Sequence, residues 1–551
     1  MLKSLRAFCT EASFSMSKKF YITTPIYYPS ASPHLGHAYC TTMCDIIARG
    51  KRLRGFDTYF LTGLDEHGEK IEDNAKAAGV TPQQFVDSVA VKFLDLWKIL
   101  HISNDDFIRT TQPRHYETVQ KIFSTFAKND DVYLSSYKGW YCVHEESYWT
   151  DTQVVGDNHL CPECGRPCEE KAEPAYFFRC GKYVQDLLGF YDKNPKFITP
   201  EGRKAEMINN FIKPGLNDLC VSRTTFDWGI PVKEAPGHVV YVWLDALTNY
   251  ITALGYLQPD DSKFKKYWQD PDCEIVHVIG ADITRFHTIY WPMFLEAMGL
   301  REPSRVFVHG LMMMKDGKMS KSKGNVIPVP PLVDRFGVDA VRYYLCREIV
   351  FGSDGQFTPE QFVDRLNGDL ANNLGNLLNR VIPMISKYCD GVVPAFEGDL
   401  NEKDKALHEL ADKTVSAYEV LNDDLKVTEA YGAVMDFVSA ANKYVADSEP
   451  WNLAKDPAKK KELDSCMSHL ANAIFLAGCL LSPILVTKSE KLYDQLGVPA
   501  AMRNYETATK FGSLSGVKVE KQDPLFPRLD VASEVQFIKD LMAAPKEKAA
   551  A

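Results

Sequence analysis

The sequence predicts an α/β protein in which a doubly wound parallel sheet, split by a connective insertion, is followed by an all-α helical bundle. Three observations predict this. A strand–helix–strand unit opens the chain after residue 19. Strands of the same apolar texture return after residue 238. From about residue 369 the strand signals fade and helix-period stripes run alone.

The opening strand is Phe20 to Thr24, a β-branched and aromatic run closed by Pro25 and Pro29. Ser32-Pro33 reads as a helix N-cap followed by proline at the first helical position. Leu35, Tyr39, Met43, Ile46 and Ile47 then recur at helical spacing, and Thr58 to Thr62 is the second strand. The later strands are Val239–Leu244, Glu274–Ile279 and Arg305–His309, apolar enough for a sheet covered on both faces. Between the two groups, roughly 132–238, cysteine, proline, glycine and aromatic residues mark an insertion. The bundle begins with Leu370, Leu374, Leu377 and Leu378 and continues through Leu407–Val420, Val427–Val445 and Leu463–Leu481.

Composition bounds the function. A net charge of −10 argues against a protein that coats nucleic acid non-specifically, while leaving room for a local RNA-binding surface. The longest apolar stretch, Ala471–Val486, contains Asn472 and Pro483, falls short of the ~20 residues of a membrane span, and reads as a buried helix. The 14 cysteines are spread too thinly for a disulfide framework. The first residues set Lys3, Arg6, Lys18 and Lys19 against Glu11 alone, among serines and a loose apolar stripe. That composition suits a mitochondrial transit peptide, so the expected destination is the mitochondrial matrix. The cytoplasm is the alternative, including a product started at Met16.

Two short motifs carry chemistry. His34-Leu35-Gly36-His37 lies where the first strand enters the first helix, at the positive end of the helix dipole, a position suited to a nucleotide's phosphates. Lys318-Met319-Ser320-Lys321-Ser322, between Gly317 and Gly324, is a loop rich in phosphate donors that can close on a triphosphate. In this order and separation the pair resembles the two signatures of class I aminoacyl-tRNA synthetases. Further blocks resemble the methionyl-tRNA synthetase family. They are Thr24–Tyr28, Leu64–Gly68, Tyr241–Ala246, Ile279–Asp282 and Arg285–Pro292, and the likeness runs from about 20 to 530.

The resemblance implies a Rossmann-like catalytic domain, an anticodon-binding bundle, and ATP with Mg²⁺, methionine and tRNA(Met) as substrates. It implies that His34, His37, Lys318 and Lys321 stabilise the charge of the reacting phosphates. Gly36, Gly280, Asp282, Gly310, Leu311 and Met312 match positions along ATP. Ile26, Tyr28, Asp65, Trp243, Ala246, Leu247, Tyr250, Ile283 and His287 match the methionine pocket, with Asp65 placed for the substrate ammonium. Apolar and aromatic walls suit a polarizable thioether. Asn376, Arg380 and Trp451 match anticodon readers. Asn376 and Arg380, four apart, share a helix face, and Trp451 can stack on a base.

Cys161-Pro162-Glu163-Cys164 is one half of a zinc knuckle. The other half reads Cys142-Val143-His144-Glu145, so Zn²⁺ is expected on Cys142, Cys161 and Cys164, with His144 or Glu145 as a conceivable fourth ligand. The division expected is a leader over 1–18, catalytic halves over 19–131 and 239–315, the insertion over 132–238, and the loop with a stem-contact region over 316–368. The anticodon domain covers 369–530 and a tail 531–551, in a monomer with no membrane contact. Two other readings remain: a nucleotidyltransferase that does not use tRNA, and a non-catalytic tRNA-binding relative. The first is disfavoured by the bundle joined to the lysine-rich loop, the second by intact His34, His37 and Lys321.

Overall fold

A computed structural model describes residues 18–143, 147–149, 153–162, 164–314, 317–318 and 327–543. Six strands form one parallel sheet: β1 (Lys19–Tyr27), β2 (Asp57–Leu64), β3 (Asp106–Arg109), β4 (Ile198–Thr199), β5 (Cys273–Gly280) and β6 (Arg305–His309). Their order is β3-β2-β1-β5-β6-β4. The winding direction reverses between β1 and β5, which opens a crevice beyond the carboxyl ends of those strands.

Alternation along each strand explains the layering. Phe20, Ile22, Val276 and Val278 face one core with helix α1 (Leu35–Leu53), while Tyr21, Ile275, Ile279 and Val306 face the other. β1 does not stop at Pro25. It continues to Tyr27 through a register shift between Thr23 and Ile26, an irregularity that tolerates a residue without an N–H.

Three expectations change. The helix begins at Leu35, with His34 as its N-cap in place of Ser32, because the His34 side chain accepts the Gly36 N–H. Val239–Leu244 is not a strand throughout. Only Val239–Val240 pairs, with Ser222–Arg223, and helix α2 (Val242–Leu247) follows. The β-branched and aromatic composition favours a strand locally, but Trp243, Ala246, Leu247 and Tyr250 recur at helical spacing and are needed on one face. Finally, Val531–Ala543, read as tail, forms a helix in which Glu534 pairs with Arg335 at 2.8 Å.

Within the insertion, Val132–Cys142 and Glu169–Phe178 form a long antiparallel pair. Ile198–Thr199, from the same stretch of chain, returns to the main sheet as its edge. The helical part contains α3 (Asn376–Tyr388), α4 (Glu402–Asp423), α5 (Val427–Ser448) and α6 (Lys460–Leu481). The helix Pro457–Leu481 is long and apolar enough to cross a membrane, yet its most apolar stretch is almost wholly buried inside the fold, so it is a core helix. The bundle and the sheet share one continuous core. At their junction the fully buried Arg342 donates to Asp45 of α1 (2.7 Å), to the Leu100 carbonyl (3.0 Å) and to the carbonyls of Pro483 (2.7 Å) and Ile484 (3.1 Å). A buried guanidinium is tolerable only when its donors are satisfied in this way.

Candidate active site

A cavity of about 420 Å³ opens at the switch point. Its walls follow strand ends in turn: Ile26 and Tyr28 at β1, Asp65 after β2, Gly280 at the end of β5 with Asp282 and Ile283 after it, and Gly310, Leu311 and Met312 after β6. The first turn of α1 adds His34, Gly36 and His37, and α2 with the next short helix adds Trp243, Ala246, Leu247 and Tyr250. His287 completes the wall. All the expected methionine and ATP positions on the described residues therefore line one space.

The two histidines of α1 cap it reciprocally. The Gly36 N–H donates to His34 Nδ1 at 3.1 Å, and the His34 N–H donates to His37 Nδ1 at 3.1 Å. Each Nδ1 is thus an acceptor, which leaves Nε2–H as the donating edge of each ring. The rings lie 4.0 Å apart at 38°. Gly36 is required by this packing, since a Cβ there would stand 2.9 Å from His34 Cε1. Gly310 is required for a different reason: a Cβ would fall 2.1 Å from the backbone of Ser353.

The far end of the cavity is walled by aromatic and apolar side chains and a neutral imidazole. His287 Nδ1 donates to the Ile283 carbonyl at 3.0 Å, so Nε2 accepts from the Tyr250 hydroxyl at 2.7 Å. Burial holds His287 at about 4, far below an ordinary imidazole. Behind it His277 is also lowered by burial, and it lies between Thr23 Oγ1 at 2.9 Å and the Trp291 indole N–H at 3.3 Å. Trp243 stacks on Phe286 at 3.4 Å and 4°. The Arg285 guanidinium lies over Phe286 at 4.6 Å and over Trp149 of the insertion at 5.0 Å. Phe286 is a wall support that composition alone hides, because an aromatic beside a buried histidine looks like ordinary core.

The lysine-rich loop starts as a hairpin. Gly317–Lys318 pairs antiparallel with Met313–Met314, directly beyond the cavity residue Met312. Lys321 lies outside the described residues, as do His144 and Glu145.

In the insertion, Cys142, Cys161 and Cys168 are buried with their sulfurs all within 4.8 Å of one another, and Cys164 Sγ lies 3.5 Å from Cys142 Sγ. Cys168 was not among the expected ligands. The x₃ spacing after Cys164 is the signal that points to it. Cys180, nearby in sequence, is buried in the second sheet core instead.

In the bundle, Asn376 and Arg380 lie one turn apart on α3, both half-buried. The Asn376 amide donates to Asn442 of α5 at 3.0 Å. Trp451 sits in the short helix Pro450–Leu453, 37% exposed. Both α3 and that short helix pack on α6.

Residues 20–173 and 164–382 match the family described as tRNA synthetases class I (M), and 393–541 match the anticodon binding domain of methionyl tRNA ligase. The methionine–tRNA ligase of Bacillus subtilis is 51% identical over 533 residues, which is 95% of this chain and 80% of that protein. That of Listeria monocytogenes is 50% identical over 549 residues, 96% of this chain and 82% of that protein. The Mycobacterium tuberculosis methionyl-tRNA synthetase in complex with methionyl-adenylate superposes with a TM-score of 0.88 at 40% identity, covering 93% of this chain and all of that one. These relatives come from bacteria, cells without mitochondria, and this corrects the mitochondrial destination expected from the leader, whose residues 1–17 lie outside those described. With two thirds of its length matched by the synthetase profile and most of the remainder by the anticodon-binding one, the chain belongs to the methionyl branch of the class I aminoacyl-tRNA synthetases.

Proposed function

We infer that the chain is a methionine–tRNA ligase, and that one observation carries the assignment of roles: a single cavity joins a mainly aromatic end to the capped start of α1. A methionine carboxylate oxygen attacks the α-phosphorus of ATP, supplied as its Mg²⁺ complex. The bond from that phosphorus to the bridging oxygen breaks and pyrophosphate leaves. A hydroxyl of the terminal tRNA ribose then attacks the acyl carbon and AMP leaves. No side chain needs to form a covalent bond. The protein positions the reactants and stabilises developing charge.

In this reading the Nε2–H edges of His34 and His37, with Lys318 and Lys321, hold the phosphates. Gly36, Gly280, Asp282, Gly310, Leu311 and Met312 line the nucleotide. Asp65 takes the ammonium, and the thioether lies among Ile26, Tyr28, Trp243, Ala246, Leu247, Tyr250, Ile283 and His287. The neutral state of His287 supports this, since a charged imidazole would demand water beside an apolar sulfur. Asn376, Arg380 and Trp451 read the anticodon of tRNA(Met). A monomer is the working unit in this reading, and light scattering checks it.

The cysteine set fits Zn²⁺: three buried sulfurs within 4.8 Å and Cys164 beside them offer four thiols, Cys142, Cys161, Cys164 and Cys168. The ion would cross-link the end of the insertion sheet and supply no chemistry at the cavity. Cys168→Ser is expected to lower bound zinc, read by metal analysis, and the melting temperature.

The primary test is ATP–pyrophosphate exchange across the twenty amino acids with Lys321→Ala as control. Exchange with methionine alone, lost in the variant, is expected. Exchange with a different amino acid overturns the pocket assignment.

A further inference from the structure

Behind the methionine end of the cavity lies a buried polar cluster that the activation chemistry does not use. Asp245, on α2, is fully buried and has an imidazole on each carboxylate oxygen. His67 Nδ1 lies 2.6 Å from Oδ2, and His115 Nε2 lies 2.6 Å from Oδ1. The carboxylate can only accept, so each ring nitrogen donates. His115, equally buried, also meets Thr252 Oγ1 through its Nδ1 at 2.8 Å, which closes the cluster against the short helix that carries Tyr250.

The placement of the two linked segments matters. His67 is two residues beyond Asp65, and Asp245 stands on α2 two residues after Trp243 and one before Ala246. One carboxylate therefore joins the loop that carries the ammonium-binding acid to the helix that carries the thioether wall. These segments come from opposite halves of the split sheet, 178 residues apart. Every other residue of the loop is pinned as well. The Asp65 N–H donates to the Tyr27 carbonyl (3.0 Å), the Glu66 N–H to Thr110 Oγ1 (2.9 Å) and the Gly68 N–H to the Trp228 carbonyl (3.1 Å). The Trp228 indole donates back to the Glu66 carbonyl (2.6 Å), and its ring meets His67 edge-on at 5.5 Å.

We propose that the His67–Asp245–His115 cluster is a positioning brace for methionine, fixing the spacing between the site of its ammonium and the site of its side chain. A bare buried carboxylate costs stability, and a buried ion pair can often be replaced by apolar residues without loss. A cluster of this kind is therefore better explained by the geometry it sets than by the stability it adds. Among the described residues, the nucleotide side of the cavity, built on α1 and on the segments at the ends of β5 and β6, makes no hydrogen bond to the three brace side chains. Loss of the brace should be felt by methionine and not by ATP.

This inference rests on the methionine-activating reading above. The test is pyrophosphate exchange by the full chain, with KM measured separately for methionine and ATP, and with thermal melting as a control. Asp245→Asn keeps the shape but places an amide NH₂ against one of two donating rings. The expected result is a rise in KM for methionine of roughly tenfold or more, the scale of a lost positioning contact, with KM for ATP within about twofold. If Asp245→Asn does not fold, His67→Phe keeps an aromatic ring against Trp228 while removing the bond to Asp245 Oδ2, and should show the same split. An unchanged methionine KM in a folded variant overturns the brace, as does a parallel rise in both KM values. A wild-type protein without methionine-dependent exchange overturns the underlying reading, and the brace with it.

Discussion

In the proposed function, two tryptophans stand for two ways of recognising a ligand. Trp243 is clamped in the cavity, stacked on Phe286 at 3.4 Å, beside a histidine whose tautomer is set by its neighbours. Trp451 stands on the bundle surface, 37% exposed, at the start of a four-residue helix. The difference follows from the ligands. A small apolar side chain offers little binding area, so its pocket must be dry and preorganised. An RNA base brings a flat face of its own and extensive phosphate contacts, so exposed aromatic and cationic groups suffice.

The comparison can be broken most severely at the lysine-rich loop. Lys321→Ala should lower kcat for methionine-dependent exchange roughly 10²–10³-fold, the loss typical of a charge-stabilising contact in the transition state. A loss confined to KM would place the lysine in ground-state binding instead. Next comes Trp451→Ala, expected to reduce kcat/KM for tRNA about 5–150-fold, from ~1–3 kcal/mol per stacked base, while exchange stays unchanged. If exchange falls in step with aminoacylation, the two regions are not separable as claimed.

A smaller effect concerns pH. Burial holds His287 neutral down to about 4, against 6.5 for an ordinary imidazole, and pushes His277 well down. The unfolded chain therefore binds more protons between those values than the native one, and native stability must fall as pH drops through that window. His287 alone accounts for about 3 kcal/mol of that loss. Melting temperature measured from pH 7 to pH 4 should decline, with KM for methionine flat as long as the protein stays folded. Smallest is Tyr250→Phe. It strips His287 Nε2 of its donor, and an unmet buried acceptor costs about 1–3 kcal/mol, so methionine KM should rise while exchange persists.

Much of this molecule is legible in the linear text. The parallel strands at Phe20, Thr58, Glu274 and Arg305 announce themselves by apolar runs, and each lies within an observed strand. The helical domain shows its period over long stretches, where the stripe of buried residues is unambiguous. The failures are local. Val239–Leu244 reads as a strand because six residues are too few for a 3.6-residue period to outweigh β-branched composition. Ser32-Pro33 reads as a cap because histidine is an uncommon N-cap, and its role depends on a ring closing over Gly36.

The sequence by itself determined the class of sheet and the family, and it marked the two motifs at His34 and Lys318 as candidates. Each of these rests on residues within one segment or on similarity along the whole chain. Only the tertiary structure decided that Cys168 joins Cys142, Cys161 and Cys164, and that Asp245 answers to His67 and His115 across separations of 178 and 130 residues. It alone brings seventeen expected positions around one cavity. The physical reason is range. A motif's spacing is set by the covalent chain. A contact between distant segments exists only once the parallel sheet has closed and its strand ends have been brought side by side.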